Sequence, residues 1–136
     1  MIISNTITKE IPFYDLDPMA VVWHGNYVKY LEEARCALLA RLGYTYEDMH
    51  QDGVAYPIAK MELKYIKPCI FGQKINITAT LKEYESCMII DYEIKDFETN
   101  EKIFKAKSMQ IPVCIKTKET LYGPSKKLLE AVKNYA

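Results

Sequence analysis

Residues 13–44, FYDLDPMAVVWHGNYVKYLEEARCALLARLGY, contain the longest helical pattern in the chain. Their apolar residues recur at intervals of three and four positions, which is the period of an α-helix with one buried face. This apolar stripe consists of Tyr27, Tyr30, Leu31, Ala34, Leu38 and Leu42. We predict a helix from about residue 24 to residue 42 that packs the stripe against the rest of the protein.

Both ends of this helix carry capping signals. Asn26 is a candidate N-cap, because its side-chain oxygen can accept hydrogen bonds from the free amides of the first turn. Arg41 near the end and Gly43 directly after it are typical C-terminal residues. Residues 45–53 predict a short second helix, with Thr45 as its cap and Gly53 as its stop.

The rest of the chain shows the alternation typical of β-strands, followed by a short amphipathic helix at residues 124–135. Five segments are predicted strands: residues 2–13, 54–68, 73–84, 87–97 and 101–117. The alternating apolar positions of the middle three are Ala59, Met61, Leu63, Tyr65, Ile75, Ile77, Ala79, Leu81, Met88, Ile90, Tyr92 and Ile94. Pro112 indicates an edge position, a bulge or a strand end in the last strand.

The order of these elements predicts a single α+β domain that comprises residues 1–136. A chain of this length can bury a hydrophobic core without disulfides or metals. Short turns between the later strands favour antiparallel pairing, and the stripe of the long helix must lie against one face of the resulting sheet. We expect an antiparallel sheet of about five strands wrapped around a long central helix.

Composition and charge argue against several classes of function. The 18 Lys and Arg residues balance 18 Asp and Glu, so the overall charge gives no reason to expect nucleic-acid binding. No apolar run reaches the roughly 18 residues of a membrane span, and the first residues lack the pattern of a signal peptide. The four cysteines form no CxxC pair and no zinc spacing with histidine. We expect a cytoplasmic protein with reduced thiols and no membrane insertion.

Asp17 and the start of the long helix form the candidate reactive site. The first amides of a helix are unpaired and carry the positive end of its dipole, so they can stabilise a developing oxyanion. Asp17 lies on a loop that can fold over this end, and a carboxylate there can attack a carbonyl or activate a water. The alternative is that Asp15 and Asp17 only shape the turn and complement the dipole.

The same segment resembles the signature of the hotdog-fold thioesterases. The branch it resembles contains 4-hydroxybenzoyl-CoA thioesterase and the acyl-CoA thioesterases encoded with the Tol–Pal envelope system. The family pattern runs from an aromatic residue and Asp-x-Asp, through β-branched residues, to an aromatic residue, His or Tyr, a small residue and Asn-Tyr. Its residues here are Tyr14, Asp15, Asp17, Val21, Val22, Trp23, His24, Gly25, Asn26 and Tyr27. The strand order agrees as well, so the resemblance covers nearly the whole chain.

The resemblance implies an enzyme that hydrolyses an acyl-CoA or aroyl-CoA thioester, with no metal or redox cofactor. Asp17 matches the family's catalytic carboxylate, which acts as nucleophile or general base. His24 matches a catalytic position whose backbone amide polarises the thioester oxygen, and Gly25 beside it would contact substrate. Asn26 and Tyr27 match a pair that we interpret as structural. The family forms homodimers, often paired into homotetramers, with the active sites at the subunit interface.

The chain departs from the family pattern at two places. Ala20 stands where glycine is usual, and alanine fits there only if its φ is negative. The turn at residues 83–87 often carries basic residues that bind CoA phosphates, but here it reads EYESC. The acids in this turn suggest a carrier other than free CoA, or phosphate binding by residues elsewhere. The candidates for phosphate binding are Lys82, Ser86, Lys107 and Lys126.

Two other functions stay open beside hydrolysis of an acyl-CoA. The thiol carrier can be an acyl carrier protein, or the protein can be a non-catalytic module that holds acyl-pantetheine without cleaving it. The carboxylate of Asp17 favours hydrolysis over simple binding, since a module that only binds acyl-pantetheine has no use for it. Tyr56 and Tyr65 are candidates to border the acyl pocket in each case.

Other carboxylates are weaker candidates for chemistry. Glu32 or Glu33 could act in place of Asp17, because some hotdog enzymes use a helix carboxylate. Asp15, Asp17 and His24 are also residue types that bind divalent ions, but no fourth ligand is evident.

Overall fold

The structure, a computed structural model, describes residues 2–135. A single turn of 3-10 helix, Phe13–Asp15, lies between the first strand and the first helix. The strands and helices, in chain order, are β1 (Ile3–Glu10), α1 (Asn26–Leu42), α2 (Tyr46–Gln51), β2 (Val54–Ala55), β3 (Ile58–Tyr65), β4 (Lys74–Glu83), β5 (Met88–Asp96), β6 (Lys102–Gln110), β7 (Val113–Cys114) and α3 (Lys126–Asn134). No helix among residues 2–135 is long and apolar enough to cross a membrane.

Five strands form one antiparallel sheet in the order β1-β4-β5-β6-β3. Helix α1 lies across one face of this sheet, which we call the inner face, and packs mainly against β1 and β4. The two-residue strands β2 and β7 pair with each other outside the sheet. This arrangement confirms the predicted α+β fold, with an antiparallel sheet of five strands around a long helix.

The apolar stripe of α1 is the centre of the core, because all six of its residues are buried. Gly43 ends the helix in the left-handed conformation at φ 89°, and its N–H donates to the carbonyl oxygens of Leu39 and Ala40. Thr45 caps α2 through a capping box with Asp48. These predicted boundaries are confirmed. They could be predicted because each depends only on residues a few positions apart.

The predicted capping role of Asn26 is wrong. Gly25 is the N-cap of α1, where no side chain of residues 2–135 accepts a capping hydrogen bond, and Asn26 is the first helical residue. The Asn26 side chain instead donates from Nδ2 to the carbonyl oxygen of Asp15 at 2.8 Å. Its amide group therefore ties the preceding loop to the helix, because the fold brings that carbonyl within reach.

The alternation predicted for the strands is confirmed in β4 and β5, where the apolar positions are buried. In β3 the predicted apolar face remains open, with Leu63 36% and Tyr65 48% exposed. The reason is that β3 is an edge strand, and α1 packs on the same face mainly against β1 and β4, at the other end of the sheet. Pro112 follows the end of β6 by two residues, so it marks a strand end.

Candidate active site

Asp17 lies in a tight loop that its own carboxylate helps to build. Oδ1 accepts a hydrogen bond from the N–H of Met19 at 2.8 Å and from that of Val21 at 3.5 Å. The Asp17 N–H in turn donates to the carbonyl oxygen of Val21 at 2.8 Å. Within residues 2–135, Oδ2 accepts no hydrogen bond, so this oxygen is available for chemistry. The side chain is only partly buried.

The loop contains one strained residue. Ala20 has φ 63°, in the left-handed region that disfavours residues with a Cβ atom. The condition under which alanine would replace glycine without strain, a negative φ, is therefore not met. The Ala20 N–H donates to the carbonyl oxygen of Asp17 at 2.9 Å, so the strained residue closes the turn that presents the carboxylate.

Asp15 has an anchoring role that the sequence did not reveal. Its side chain is only 3% exposed, and its two oxygens accept hydrogen bonds from the Tyr30 hydroxyl at 2.6 Å and from Lys29 Nζ at 3.0 Å. Burial acts to raise the pKa of Asp15, but the hydrogen bond from Tyr30 and the ammonium of Lys29 outweigh it and hold that pKa below its ordinary value. Asp15 therefore forms a buried ionic contact with α1.

The backbone of Asp15 makes a second connection to the helix start. Its carbonyl oxygen accepts from the N–H of Trp23 at 3.0 Å as well as from Asn26 Nδ2. Asn26 and Tyr30 are four residues apart on one face of α1, so both can reach the same loop residue. That spacing opposite an Asp-x-Asp turn is the signal from which the anchor could have been predicted. The anchor fixes the loop that carries Asp17 to the beginning of α1.

Two amides at the start of α1 have no partner in the described part of the chain. Trp23 and Asn26 close a four-residue turn through a 2.9 Å hydrogen bond from the Asn26 N–H to the Trp23 carbonyl oxygen. Within the described residues, the N–H groups of His24 and Gly25 inside this turn donate to no acceptor. They lie at the positive end of the 17-residue helix α1. The pair is chemically able to stabilise negative charge on a carbonyl oxygen.

The side chain of His24 is exposed, and its ring lies 5.0 Å from that of Trp23 and 6.5 Å from that of Tyr65, centroid to centroid. The carbonyl oxygen of His24 accepts a 2.8 Å hydrogen bond from the Tyr65 hydroxyl. An open cleft of about 200 Å³ lies beside these groups. Its walls are formed by Val22, His24, Tyr27, Tyr65, Ile66 and Pro68, with Lys67 at one side.

The other predicted substrate-binding residues lie apart from this cleft. Lys82 and Lys107 line a groove of about 550 Å³ on the outer face of the sheet, opposite α1. Lys107 Nζ is 3.9 Å from Oδ1 of Asp91, whereas Lys82 forms no ion pair within residues 2–135. Lys126 is exposed in the first turn of α3. A single chain therefore does not bring these lysines together with Asp17 and His24.

The acidic turn between β4 and β5 has an internal structural role. The Glu83 carboxylate accepts hydrogen bonds from the N–H groups of Glu85, at 2.9 Å, and Ser86, at 3.4 Å. The Ser86 side chain is exposed. Tyr56, by contrast, is 5% exposed in the core and does not line the cleft beside His24, and its buried hydroxyl has no hydrogen-bond partner among residues 2–135.

The helix carboxylates proposed as alternatives have partners of their own. Oε2 of Glu33 lies 3.3 Å from Nζ of Lys9, and Glu32 forms an ion pair with the buried Arg35. Among the described residues, no group of three or more His, Cys, Asp or Glu side chains could hold a metal ion. Asp15, one of the three conceivable metal ligands, is directed at Tyr30 and Lys29 instead.

Known proteins resemble this chain in sequence and in fold. A family model described as the thioesterase-like superfamily matches residues 11–132. The Bacillus subtilis protein YneP, named for an inferred acyl-CoA thioesterase activity, is 32% identical over 75 residues, which are 55% of this chain and 54% of YneP. A chloroplastic acyl-acyl carrier protein thioesterase of Arabidopsis thaliana is 25% identical over 99 residues, 72% of this chain and 52% of that protein. The chain thus spans about half the length of the curated relatives it matches.

A solved structure extends the likeness across most of the fold. The crystal structure of a DHNA-CoA thioesterase from Staphylococcus aureus superposes with a TM-score of 0.80 at 24% identity. The match covers 88% of this chain and 80% of the other. At this level of identity the likeness establishes a shared fold.

Proposed function

Because the chain belongs to the thioesterase-like superfamily, we propose that it is an enzyme that hydrolyses an acyl-CoA or aroyl-CoA thioester to a carboxylic acid and free CoA. The observation that carries this proposal is the presence of one carboxylate oxygen and two backbone amides that have no partner among the described residues. Asp17 supplies the carboxylate, and the N–H groups of His24 and Gly25 supply the amides, all within one anchored loop.

In the proposed reaction, the thioester oxygen binds at the amides that begin α1. These donors, together with the helix dipole, stabilise the negative charge that forms on this oxygen when the carbonyl carbon becomes tetrahedral. Because these amides are already in position, they need not reorganise as that charge develops. The anchor through Asp15 supports this preorganisation, since it joins the loop to α1 by side chain and backbone.

Asp17 supplies the second half of the chemistry. Its free Oδ2 either attacks the carbonyl carbon and forms an anhydride that water then cleaves, or takes a proton from a water that attacks directly. In both routes the C–S bond breaks and the thiolate leaves; it takes up a proton from solvent in the first route and from the protonated Asp17 in the second. Oδ1 stays hydrogen-bonded to Met19 and Val21 throughout, so the reactive oxygen keeps its direction.

The acyl group is expected to occupy the cleft beside His24. Aromatic rings line it, and Tyr27 stacks on Phe104 at 4.8 Å. The cleft is small and open, which fits a site completed by a second copy of the chain. The apolar inner side of the edge strand β3 supports the same conclusion, because an unpaired edge with exposed Leu63 and Tyr65 favours pairing. A homodimer, or a homotetramer built from it, is therefore part of the proposal, as is a cytoplasmic location.

A second candidate carrier is an acyl carrier protein. The acidic turn at residues 83–87 favours it, because two acids there would repel a nucleotide phosphate. If the carrier is CoA, Lys82 is the best candidate for its phosphates, since it forms no ion pair within residues 2–135 and projects from the end of β4. Lys107 and Ser86 are secondary candidates.

The test is release of free thiol from a panel of short, long and aromatic acyl-CoA esters and the matching acyl-pantetheine esters. We expect hydrolysis of at least one CoA ester, and a Lys82→Glu substitution should raise its KM with little change in kcat. Equal rates on pantetheine esters, unaffected by Lys82→Glu, would favour the carrier-protein alternative. Binding of the esters without any hydrolysis would contradict the enzymatic proposal and favour a binding module.

A further inference from the structure

The inner face of β3 carries a row of apolar side chains that remain accessible to solvent. Met61, Leu63 and Tyr65 follow one another at intervals of two residues, so they share one face of the strand. Leu63 is paired with Ala106 of β6, which lies on the same face and is partly exposed. We call Met61, Leu63 and Ala106 the apolar strip. The strip leads along β3 toward Tyr65, the last residue of that strand.

The cleft beside His24 lies on the other side of Tyr65 along the chain. The part of its wall that comes from β3 and the following segment begins at Tyr65 and continues through residues 66–68. Neither Met61 nor Leu63 lines it. Tyr65 therefore stands between the cleft and the apolar strip.

The side chain of Tyr65 bridges the space from β3 to the start of α1. Its hydroxyl donates to the His24 carbonyl oxygen at 2.8 Å. Its ring lies edge-on to the rings of Tyr27 and Phe104, at centroid distances of 5.4 and 5.0 Å. Phe104 is fully buried behind it, so the ring has no room to move toward the core. An acyl group in the cleft thus meets a ring that is held at its base and at its tip.

The cleft on the His24 side of this ring has the size of a small acyl group. Its volume is about 200 Å³. An apolar cavity of about 150 Å³ is enough to hold benzene, so one aromatic ring or a short aliphatic group fits. The additional methylenes of a longer chain stay in water unless they pass Tyr65 and reach the apolar strip.

We propose that Tyr65 is a specificity-determining residue whose ring separates the cleft from the apolar strip and so limits the length of acyl group that gains affinity. This inference rests on the proposed function, which puts the acyl group in the cleft, and it adds the residue that sets the length limit. The ring faces the acyl group, so it affects the choice among acyl groups and not the choice of carrier.

The test uses S-alkyl-CoA thioethers, which cannot be hydrolysed, in a series from methyl to dodecyl, with Kd measured by calorimetry. Wild-type affinity should rise up to about hexyl and gain nothing from further methylenes. In Tyr65→Ala the rise should continue to longer chains, by up to about fourfold for each methylene that the strip buries. A wild-type affinity that rises through dodecyl, or a Tyr65→Ala series with the wild-type limit, would overturn the inference.

Two matched variants separate the ring from other effects of the substitution. Tyr65→Phe keeps the ring between Tyr27 and Phe104, so it should keep the wild-type limit. The double variant Tyr65→Ala/Leu63→Trp fills the strip with a large side chain, and it should restore the limit that Tyr65→Ala removes. A double variant that still gains affinity with every methylene would show that the chain does not enter the strip, and the inference would fail.

Hydrolysis of benzoyl-CoA and dodecanoyl-CoA provides a separate measurement. In Tyr65→Ala, kcat/KM should fall by about 2- to 10-fold for benzoyl-CoA, the usual effect of losing one edge-to-face ring contact, and rise for dodecanoyl-CoA. An unchanged ratio of the two would contradict the inference. A wild type that binds the thioethers with the hexyl limit but cleaves no thioester would contradict the proposed function and support the role of Tyr65.

Discussion

At the scale of single residues, Asp15 and Asp17 have different surroundings although only Leu16 separates them. Asp15 is buried against Tyr30 and Lys29, whereas Asp17 keeps one oxygen free. The sequence identified Asp17 through the family pattern but gave no reason to separate the two roles. The difference depends on which side chain faces α1, and that is decided by the 3-10 turn at Phe13–Asp15.

Replacing Asp15 by Asn should destabilise the protein by about 1.5–3 kcal/mol near pH 7, the usual effect of losing a hydrogen-bonded charge. The pKa of Asp15 is lowered in the folded protein, so its stabilisation is complete above the ordinary value near 3.8 and is lost as the pH falls through the folded value. Urea unfolding from pH 3 to 7 should therefore show wild type and variant converging at the acid end. Glu101→Gln, which removes an exposed ion pair with Lys67, should change stability by less than about 0.5 kcal/mol at every pH.

The strain at Ala20 predicts a substitution that stabilises the protein. Alanine at φ 63° costs roughly 1–2 kcal/mol, and glycine removes this cost while adding about 0.4–1 kcal/mol of entropy to the unfolded chain. Ala20→Gly should therefore raise the free energy of unfolding by up to about 1 kcal/mol. Ala106→Gly in β6, where φ is not positive, should lower it. A destabilised Ala20→Gly would mean that the loop does not carry this strain.

At the scale of elements, the sequence predicted what depends on near neighbours. The stripe of α1, the glycine at its end and the capping box of α2 all lie within a few residues of the groups they serve. Asn26 was misassigned because its partner, the Asp15 carbonyl, lies 11 residues upstream and comes within reach only in the folded chain. The exposure of β3 was not predictable either, since alternation gives the faces of a strand but not its place in the sheet.

The role of Asn26 can be tested by a substitution that keeps a side-chain acceptor, as an N-cap needs, but removes the N–H donor. An N-cap tolerates Asp as well as Asn, because only an accepting oxygen is needed. Asn26→Asp should instead cost about 1–3 kcal/mol, since the carboxylate cannot donate to the Asp15 carbonyl and would face it. Ser125→Asp, at the N-cap of α3 where Oγ accepts from the Leu128 N–H, should be tolerated. Equal tolerance at both positions in thermal unfolding would restore the capping role.

At the scale of the whole molecule, one chain leaves the candidate site incomplete. The loop that carries Asp17 is anchored to the start of α1, beside which the His24 cleft opens, but Lys82 and Lys107 line a groove on the other face of the sheet. The sequence could not show this, because the distance between a turn and a loop depends on the curvature of the sheet and on how copies of the chain associate.

We expect the protein to sediment as a dimer or larger assembly, at no less than twice its chain mass of 15.8 kDa. The physical reason is the exposed edge of β3 with its half-exposed apolar face. Sedimentation across a dilution series, with thiol release measured on the same samples, should show activity declining as the assembly dissociates. A fully active monomer would contradict a site shared between two chains.

The central claim is that Asp17 performs the chemistry, and kcat of Asp17→Asn for the best thioester of the panel tests it most directly. Asparagine keeps an Oδ1 that can accept from Met19 and Val21, so the loop and the stability of the protein should be preserved. Glu33→Gln is the matched control for a carboxylate on α1. We predict that kcat falls by at least about 100-fold in Asp17→Asn and is unchanged in Glu33→Gln. Wild-type kcat in Asp17→Asn would contradict the account.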